Sequence, residues 1–330
     1  MNWSGRKILV TGADGFIGSH LVERLVRLGA DVRAFCLYNS NGSWGWLDGA
    51  DPAIRKSFDI RLGDIRDCKF VEDSCTGVDT IFHLAALVAI PYSYSAVESF
   101  VDTNVKGTLN VLEGARRASC RRVVATSTSE VYGTPDSLPI RESHPLQGQS
   151  PYSASKIAAD KFCEAYFCSF KLPIVTLRPF NTYGPRQSMR AVLPTLLVQL
   201  LAGKKEVRLG RLDPRRDLTF VSDTVEGFVR AGMTEGVEGD VIQLGTGHSV
   251  SIRELFDAAC RALGVSASVV EEEARLRPAA SEVMVLLSDP AKAKHLLGWE
   301  AAVPLEEGVA RTALWLEKNM HLFDAERYHV

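Results

Sequence analysis

Residues 7–35 read KILVTGADGFIGSHLVERLVRLGADVRAF, and no other stretch limits the possible folds as tightly. Lys7 to Thr11 is a short β-rich run. Gly12, Gly15 and Gly18 then punctuate a turn, and Phe16, Ile17, Leu21, Leu25 and Leu28 recur at helical spacing until Gly29 ends the period. DVRAFCLY follows as a second strand. Strand, glycine turn, helix, strand is the opening of a doubly wound parallel sheet.

Glycines at that turn let a ligand approach the backbone. Without Cβ atoms, a pyrophosphate reaches the start of the helix, where unpaired N–H groups and the helix dipole attract anions. The spacing is G-x-x-G-x-x-G, and in this strand–helix context it predicts a dinucleotide site. The pattern repeats: FDIRLGD, VDTIFHLAA and RRVVATSTS read as further strands, separated by helical stretches such as AVESFVDTNVKGTLNVLEGARRA. Alternation of this kind predicts an α/β fold, a parallel sheet with helices on both faces. Asp64, at a strand end, is placed to accept from an adenine amino group. His83 reads as a packed strand residue.

The 330 residues suffice for one large domain or two interleaved ones, and the net charge of -2 offers nucleic acid or an anionic membrane no electrostatic footing. Seven cysteines form no C-x-x-C pair and lie near no histidine cluster, so no metal site is expected. With no apolar run of about 18 residues and an N-terminus that leads straight into a strand, a cytoplasmic protein without membrane segment is expected.

In SPYSASKIAADKF, Tyr152 and Lys156 stand four apart and project from one helix face. An ammonium beside a phenol is expected to pull its pKa down, and a bound nicotinamide cation to pull further. The tyrosine could then take a hydroxyl proton as hydride leaves the same carbon.

TGADGFIG, the Gly63–Asp64 pair, HLAA, STSEVYG, YSASK and RPFNTYGPRQ stand in the order of the extended short-chain dehydrogenase/reductases, and the chain resembles their nucleotide-sugar epimerases and dehydratases along essentially its whole length. The resemblance implies a Rossmann sheet with a smaller, interleaved C-terminal substrate lobe. It divides the chain into a cofactor domain, 1–180 with roughly 215–248, and a nucleotide-sugar lobe, 181–214 with 249–330. By the same resemblance, Gly12, Gly15, Phe16, Ile17, Gly18, Asp64, Ile65, Leu84, Ala85 and Ala86 line the cofactor with Tyr152 and Lys156. Thr128 takes the place of the hydroxyl partner of Tyr152, Lys156 also holds the nicotinamide ribose, and Asn104 matches an asparagine that supports the lysine.

Glu130 sits where a strand leaves the core, and the family's 4,6-dehydratases carry a glutamate here while its 4-epimerases need none. Once C4 is a ketone the C5 proton is acidic, and a carboxylate in reach removes it before water leaves from C6. The dTDP-glucose dehydratases place an aspartate just before this glutamate. Here the residue is Ser129, a further catalytic candidate, so the acid that protonates the C6 hydroxyl stays unassigned.

Trp44 and Trp46 lie in a polar loop, SWGWLD, that resembles the legionaminic-acid-type dehydratases. They must pack on adenine, on a neighbouring subunit or on the protein's own surface. The acid that usually ends the second strand and binds the adenosine ribose is replaced by Cys36. The YNSN that follows offers neutral hydrogen bonds and no cationic cluster, which favours NAD, while Arg33 nearby leaves NADP open.

In the second half, the family positions that clamp a nucleotide diphosphate fall on Arg186, Arg216 and Arg277, and Asn181 falls near the sugar; arginine's planar fork suits phosphate oxygens. Glu282 has no evident role. The VSDTVEGFVRAG helix and the VIQLG strand are expected to return to the first lobe. Helices around 95–118 and 152–171 are apolar on more than one face, and family members dimerise by pairing them into a four-helix bundle. The implied reaction is 4,6-dehydration of a UDP- or GDP-linked N-acetylhexosamine such as GlcNAc. A 4-epimerase or a 5,6-dehydratase is the enzymatic alternative, and a non-catalytic nucleotide sensor is the alternative of another class.

Overall fold

The structure is a computed structural model that describes residues 2–276 and 278–325. Six strands of the large sheet come from the first 180 residues: β1 (Lys7–Thr11), β2 (Asp31–Leu37), β3 (Phe58–Gly63), β4 (Thr80–His83), β5 (Arg122–Thr126) and β6 (Ile174–Pro179). The rest of the chain supplies β7 (Asn181–Tyr183), β8 (Glu206–Leu209), β9 (Arg215–Phe220), β10 (Val241–Leu244), β11 (Ser249–Ser251), β12 (Ser268–Glu271) and β13 (Val285–Leu286). Among the described residues the large sheet runs β10-β6-β5-β4-β1-β2-β3, with every pairing parallel. The order reverses between β1 and β4, and ligands of such sheets bind in the crevice at that point.

Helices cover both faces, so the central strands are apolar on both sides. On one face Leu9, Ile81 and Val123 pack with Val71, Val111, Ala115 and Cys163 of three helices. On the other, Val10, Leu21 and Val124 belong to the same apolar cluster as Leu193, Leu196, Leu197, Phe228 and Val309 of the second half. One core therefore spans the large sheet and the second half of the chain. As expected, the Val221–Ala231 helix contributes to that core and β10 extends the sheet, whereas β9 pairs within the smaller sheet with β7, β11 and β13.

Asp217 of β9 fastens the second half together. It is fully buried, and its carboxylate accepts from Thr246 N (2.8 Å) and Oγ1 (2.7 Å), Gly247 N (3.0 Å), and Ser288 N (3.2 Å) and Oγ (2.5 Å). These are charge-assisted bonds that draw two loops onto one strand.

Candidate functional site

The glycine turn closes against the loop that follows β4. Gly12 has φ +67°, and a Cβ there would lie 2.8 Å from Ala85 N; a Cβ on Gly18 would lie 2.1 Å from Gly12 O. Turn, helix and loop thus approach as closely as backbones can. Phe16 opens the helix that runs to Arg27, and Gly15 before it is exposed. That helix start has no side-chain cap and no acidic residue in its first turn, whereas Asp67, Ser150 and Ser251 cap other helices here. Its N–H groups suit an anion, and the residues present fit the pyrophosphate of a dinucleotide.

Below the turn, a buried chain fixes the crossover between β1 and β4. Leu84 and Ala85 N–H groups donate to Thr11 Oγ1, both at 3.2 Å, and the Thr11 hydroxyl meets His83 Nδ1 at 2.8 Å. His83 Nε2 meets Thr108 Oγ1 at 3.0 Å, and that hydroxyl donates to Asn104 O at 2.6 Å. The donors and acceptors agree only if His83 is neutral with its proton on Nε2. Burial, with the charge of Lys156, holds its pKa near 3. Its expected role as a packed strand residue stands.

The Tyr152 helix, Pro151–Phe170, starts with a Ser150–Ser153 capping box and proline in its first turn. That cap sets the register that brings Tyr152 and Lys156 to the end of β5. Lys156 is buried and donates to Thr126 O at 2.5 Å. Tyr152 is buried edge-on to Phe100, with the Thr128 hydroxyl as hydrogen-bond partner. The expected depression of the phenol is not found. Burial drives its pKa up, the charges of Glu130 and Asp160 push the same way, and only Thr128 opposes them. The lysine's own pKa is lowered by burial. Desolvation sets the phenol's pKa, and Lys156, whose ammonium donates to Thr126 O, is not among the groups that shift it.

Asn104 lies in a π-helical turn, Val101–Lys106, set into the helical run from Val97 to Arg117. It accepts from Leu87 N (2.8 Å) and donates to Leu87 O and Ser155 Oγ (both 2.9 Å), so it reaches the lysine through its neighbour. Such turns inside helices often mark functional sites.

Ser129 and Glu130 begin a one-turn helix, Ser129–Tyr132, with the Thr128 Oγ1 accepting from Glu130 N at 3.2 Å. Ser129 is buried and Glu130 half-buried. A network that sequence reasoning missed anchors this turn on both sides. Ser127 Oγ donates to Asp160 Oδ2 at 2.8 Å, and Arg178 Nη2 and Nε donate to the same oxygen at 2.9 and 3.1 Å. Arg178 Nη1 (3.0 Å) and Gln243 Nε2 (2.7 Å) both donate to Tyr132 Oη. The segment carrying Glu130 is thereby tied to the Tyr152 helix, β6 and β10. The one available signal was Asp160 itself, four residues beyond Lys156 on the same face.

Ile65 is buried under the helix at Gly107, with its carbonyl bonded to Asn110. Asp64, the expected adenine partner, is gripped by Arg66 at 2.6 Å, which holds its pKa below the usual carboxylate range. Leu84 and Ala86 are half-buried in the loop after β4. Of the expected substrate arginines, Arg186 pairs with Glu23 of the glycine-turn helix at 2.6 Å and leaves a buried Nη1 without a partner. Arg216, on β9, pairs with Glu282 at 3.1 Å, which gives that glutamate its role. The structure therefore ties these two to different elements. Arg277 lies outside the described residues. Asn181 Oδ1 is a buried acceptor with no partner. No cluster of metal-ligating residues occurs among the described residues, nor any helix long and apolar enough to cross a membrane.

The tryptophan loop packs on the protein's own surface. Trp46 meets Trp315 at 5.4 Å, and Trp44 meets Phe58 at 6.4 Å with Arg55 stacked 4.6 Å over its ring.

The profile of the GDP-mannose 4,6 dehydratase family matches residues 9–312. A UDP-glucose 4-epimerase of Mycolicibacterium smegmatis is 35% identical over 316 residues, covering 93% of this chain and 97% of the epimerase. A mouse dTDP-D-glucose 4,6-dehydratase is 30% identical over 323 residues, covering 96% and 90%. Among solved structures, the dTDP-glucose 4,6-dehydratase DesIV of Streptomyces venezuelae, with NAD and TYD bound, superposes with a TM-score of 0.84 at 30% identity, covering 96% and 99%.

Proposed function

The chain belongs to the family of short-chain dehydrogenase/reductase-type nucleotide-sugar dehydratases and epimerases, and from that premise we propose that it is an NAD-dependent nucleotide-sugar 4,6-dehydratase. The observation that carries the reading is Glu130: a half-buried carboxylate at the strand end, close enough to raise the Tyr152 pKa, on a turn anchored from both sides. An epimerase has no use for a carboxylate there.

Bound NAD would supply a positive charge that draws the Tyr152 phenol down and a reversible acceptor for the hydride that moves from C4 to C6. Tyr152, assisted by Thr128, takes the C4 hydroxyl proton, and Lys156 holds the ribose. Glu130 removes the C5 proton and delivers it to the departing C6 hydroxyl, so that water leaves. Ser129 lines the same turn. C5 then regains a proton, Tyr152 gives up the one it gained, and the product is a 4-keto-6-deoxy sugar. Gly12, Gly15, Phe16, Ile17 and Gly18 cradle the pyrophosphate, with Asp64, Ile65 and Leu84–Ala86 along the adenosine and nicotinamide sides. Asn181, Arg186, Arg216 and Arg277 serve the sugar nucleotide; the unpartnered Asn181 Oδ1 and Arg186 Nη1 support the first two assignments.

The SWGWLD loop supports a UDP- or GDP-linked N-acetylhexosamine as substrate. We divide the labour between a cofactor lobe, residues 1–180 with about 215–248, and a substrate lobe comprising the rest, with β9 linking the two. The seven free cysteines suit a reducing cytoplasm. A homodimer is supported by Val97 and Val101, one helical turn apart, and by Phe162 and Phe170 on the adjacent Tyr152 helix, all exposed.

The test is incubation of the protein with NAD and UDP-GlcNAc or GDP-GlcNAc, wild type against Glu130→Gln, read by mass spectrometry and proton NMR. Loss of one water with a new C6 methyl, absent in the variant, is expected. An isomer of unchanged mass, formed equally by both proteins, favours the 4-epimerase reading that the 35%-identical relative supports. Loss of water without a C6 methyl indicates 5,6-dehydration.

A further inference from the structure

We propose that Asp14, inside the glycine turn, supplies the carboxylate that holds the adenosine ribose hydroxyls of NAD and turns away the 2′-phosphate of NADP. In most dinucleotide folds that carboxylate ends the second strand. Here the strand end carries Cys36, buried and followed by Leu37 and Tyr38. Burial, with the charges of Asp14 and Asp48, pushes the Cys36 thiol up to about 12, so it stays neutral.

The missing charge comes back from another element. Asp14 Oδ2 accepts from Leu37 N at 3.3 Å, which sets the carboxylate on the end of β2 although it belongs to the turn after β1. Its donors are main-chain N–H groups, Leu37's and its own, and burial raises its pKa. A half-buried carboxylate without a cation gains from two hydroxyl donors.

Its position is held by the tryptophan loop. Trp46 N donates to Asp14 O at 3.1 Å, and Gly45, at φ +58°, lies so close that a Cβ would fall 2.5 Å from Asp14 O and 2.9 Å from Asp14 Cβ. Trp46 is in turn seated on Trp315. The loop thereby acquires a purpose, which is to hold Asp14 against the strand end.

The arginines near this end are engaged elsewhere. Arg33 donates to Ser74 O (2.6 Å) and Thr76 O (3.1 Å), Arg61 pairs with Asp59 (3.1 Å), and Arg55 lies over Trp44. The neighbouring acid, Asp48, has its Oδ2 occupied by Ser43 Oγ (2.6 Å) and Trp44 N (3.1 Å), closing its own loop.

The inference rests on the reading of the crevice as an NAD site. Nucleotide-free protein is titrated calorimetrically with NAD, NADP and the adenosine 2′-deoxy analogue of NAD, using wild type, Asp14→Asn, Asp14→Ala and the control Asp48→Asn, each checked by thermal melt. Wild type is expected to bind NAD at least ~10-fold tighter than either other ligand. Both Asp14 variants should bind NAD and its 2′-deoxy analogue equally and lose most discrimination against NADP, while Asp48→Asn behaves as wild type. A folded Asp14→Asn that keeps both ratios overturns the proposal, as does their loss in Asp48→Asn. Wild type that binds none of the three ligands overturns the cofactor reading itself.

Discussion

Two histidines are built into the protein without charge, and that makes its stability fall in mild acid. His83 is held near 3 by burial and Lys156; His20, whose Nε2 donates to Pro185 O at 3.0 Å, is held near 4 by burial and Arg186. An unfolded histidine titrates near 6.5. Because the folded values are lowered, the stabilisation is complete above pH 6.5 and is lost as pH falls toward 4 and 3. Between pH 7.5 and 5.0 the unfolded chain takes up nearly two protons that the folded one refuses. Each costs about 2 kcal/mol over that interval, about 4 kcal/mol together. Asp14, raised by burial, acts in the opposite sense, and the lowered carboxylates Asp64, Glu113 and Glu254 contribute only nearer their ordinary values. Urea unfolding at the two pH values, followed by circular dichroism, measures the fall. His20→Gln keeps a donor for Pro185 and should halve the fall to about 2 kcal/mol, its own constant cost cancelling between the two pH values. A wild-type fall below about 1 kcal/mol, or one that His20→Gln leaves unchanged, would refute the reasoning.

Asp217→Asn turns an acceptor of five hydrogen bonds partly into a donor among donors. The expected cost is about 4 kcal/mol. Against an unfolding entropy of about 0.7 kcal/mol/K for this length, that is a drop of about 6 °C in Tm by calorimetry, and a drop under about 2 °C would mean that Asp217 does not pin the lobe. If the exposed faces of the two adjacent helices join two copies, Val101→Glu with Phe170→Glu should yield a monomer by sedimentation without lowering secondary structure; a wild-type monomer would remove the dimer from the proposal.

What could be read from the sequence was what local geometry dictates. The glycine turn declares itself because only glycine allows its backbone approach, and Tyr152 and Lys156 because helical spacing alone puts them on one face. Partnerships across the chain were hidden. Arg186 meets Glu23 over 163 residues, and Tyr132 meets Gln243 over 111. No pattern of spacing reports such pairs. The tyrosine's pKa was misjudged for a related reason: adjacency to a charge is visible in a sequence, but the loss of water around the phenol is a property of the assembled core.

That core also constrains how such a protein can change over evolutionary time. Since Val10 and Leu21 share one apolar cluster with Leu197 and Val309, a gene truncated after β6 would encode a chain with a bare hydrophobic flank. The parts of the chain on either side of that cluster are therefore constrained to change together. Even the tryptophan loop is bound by this constraint, since its Leu47 is fully buried in the same cluster and Trp44 packs against it.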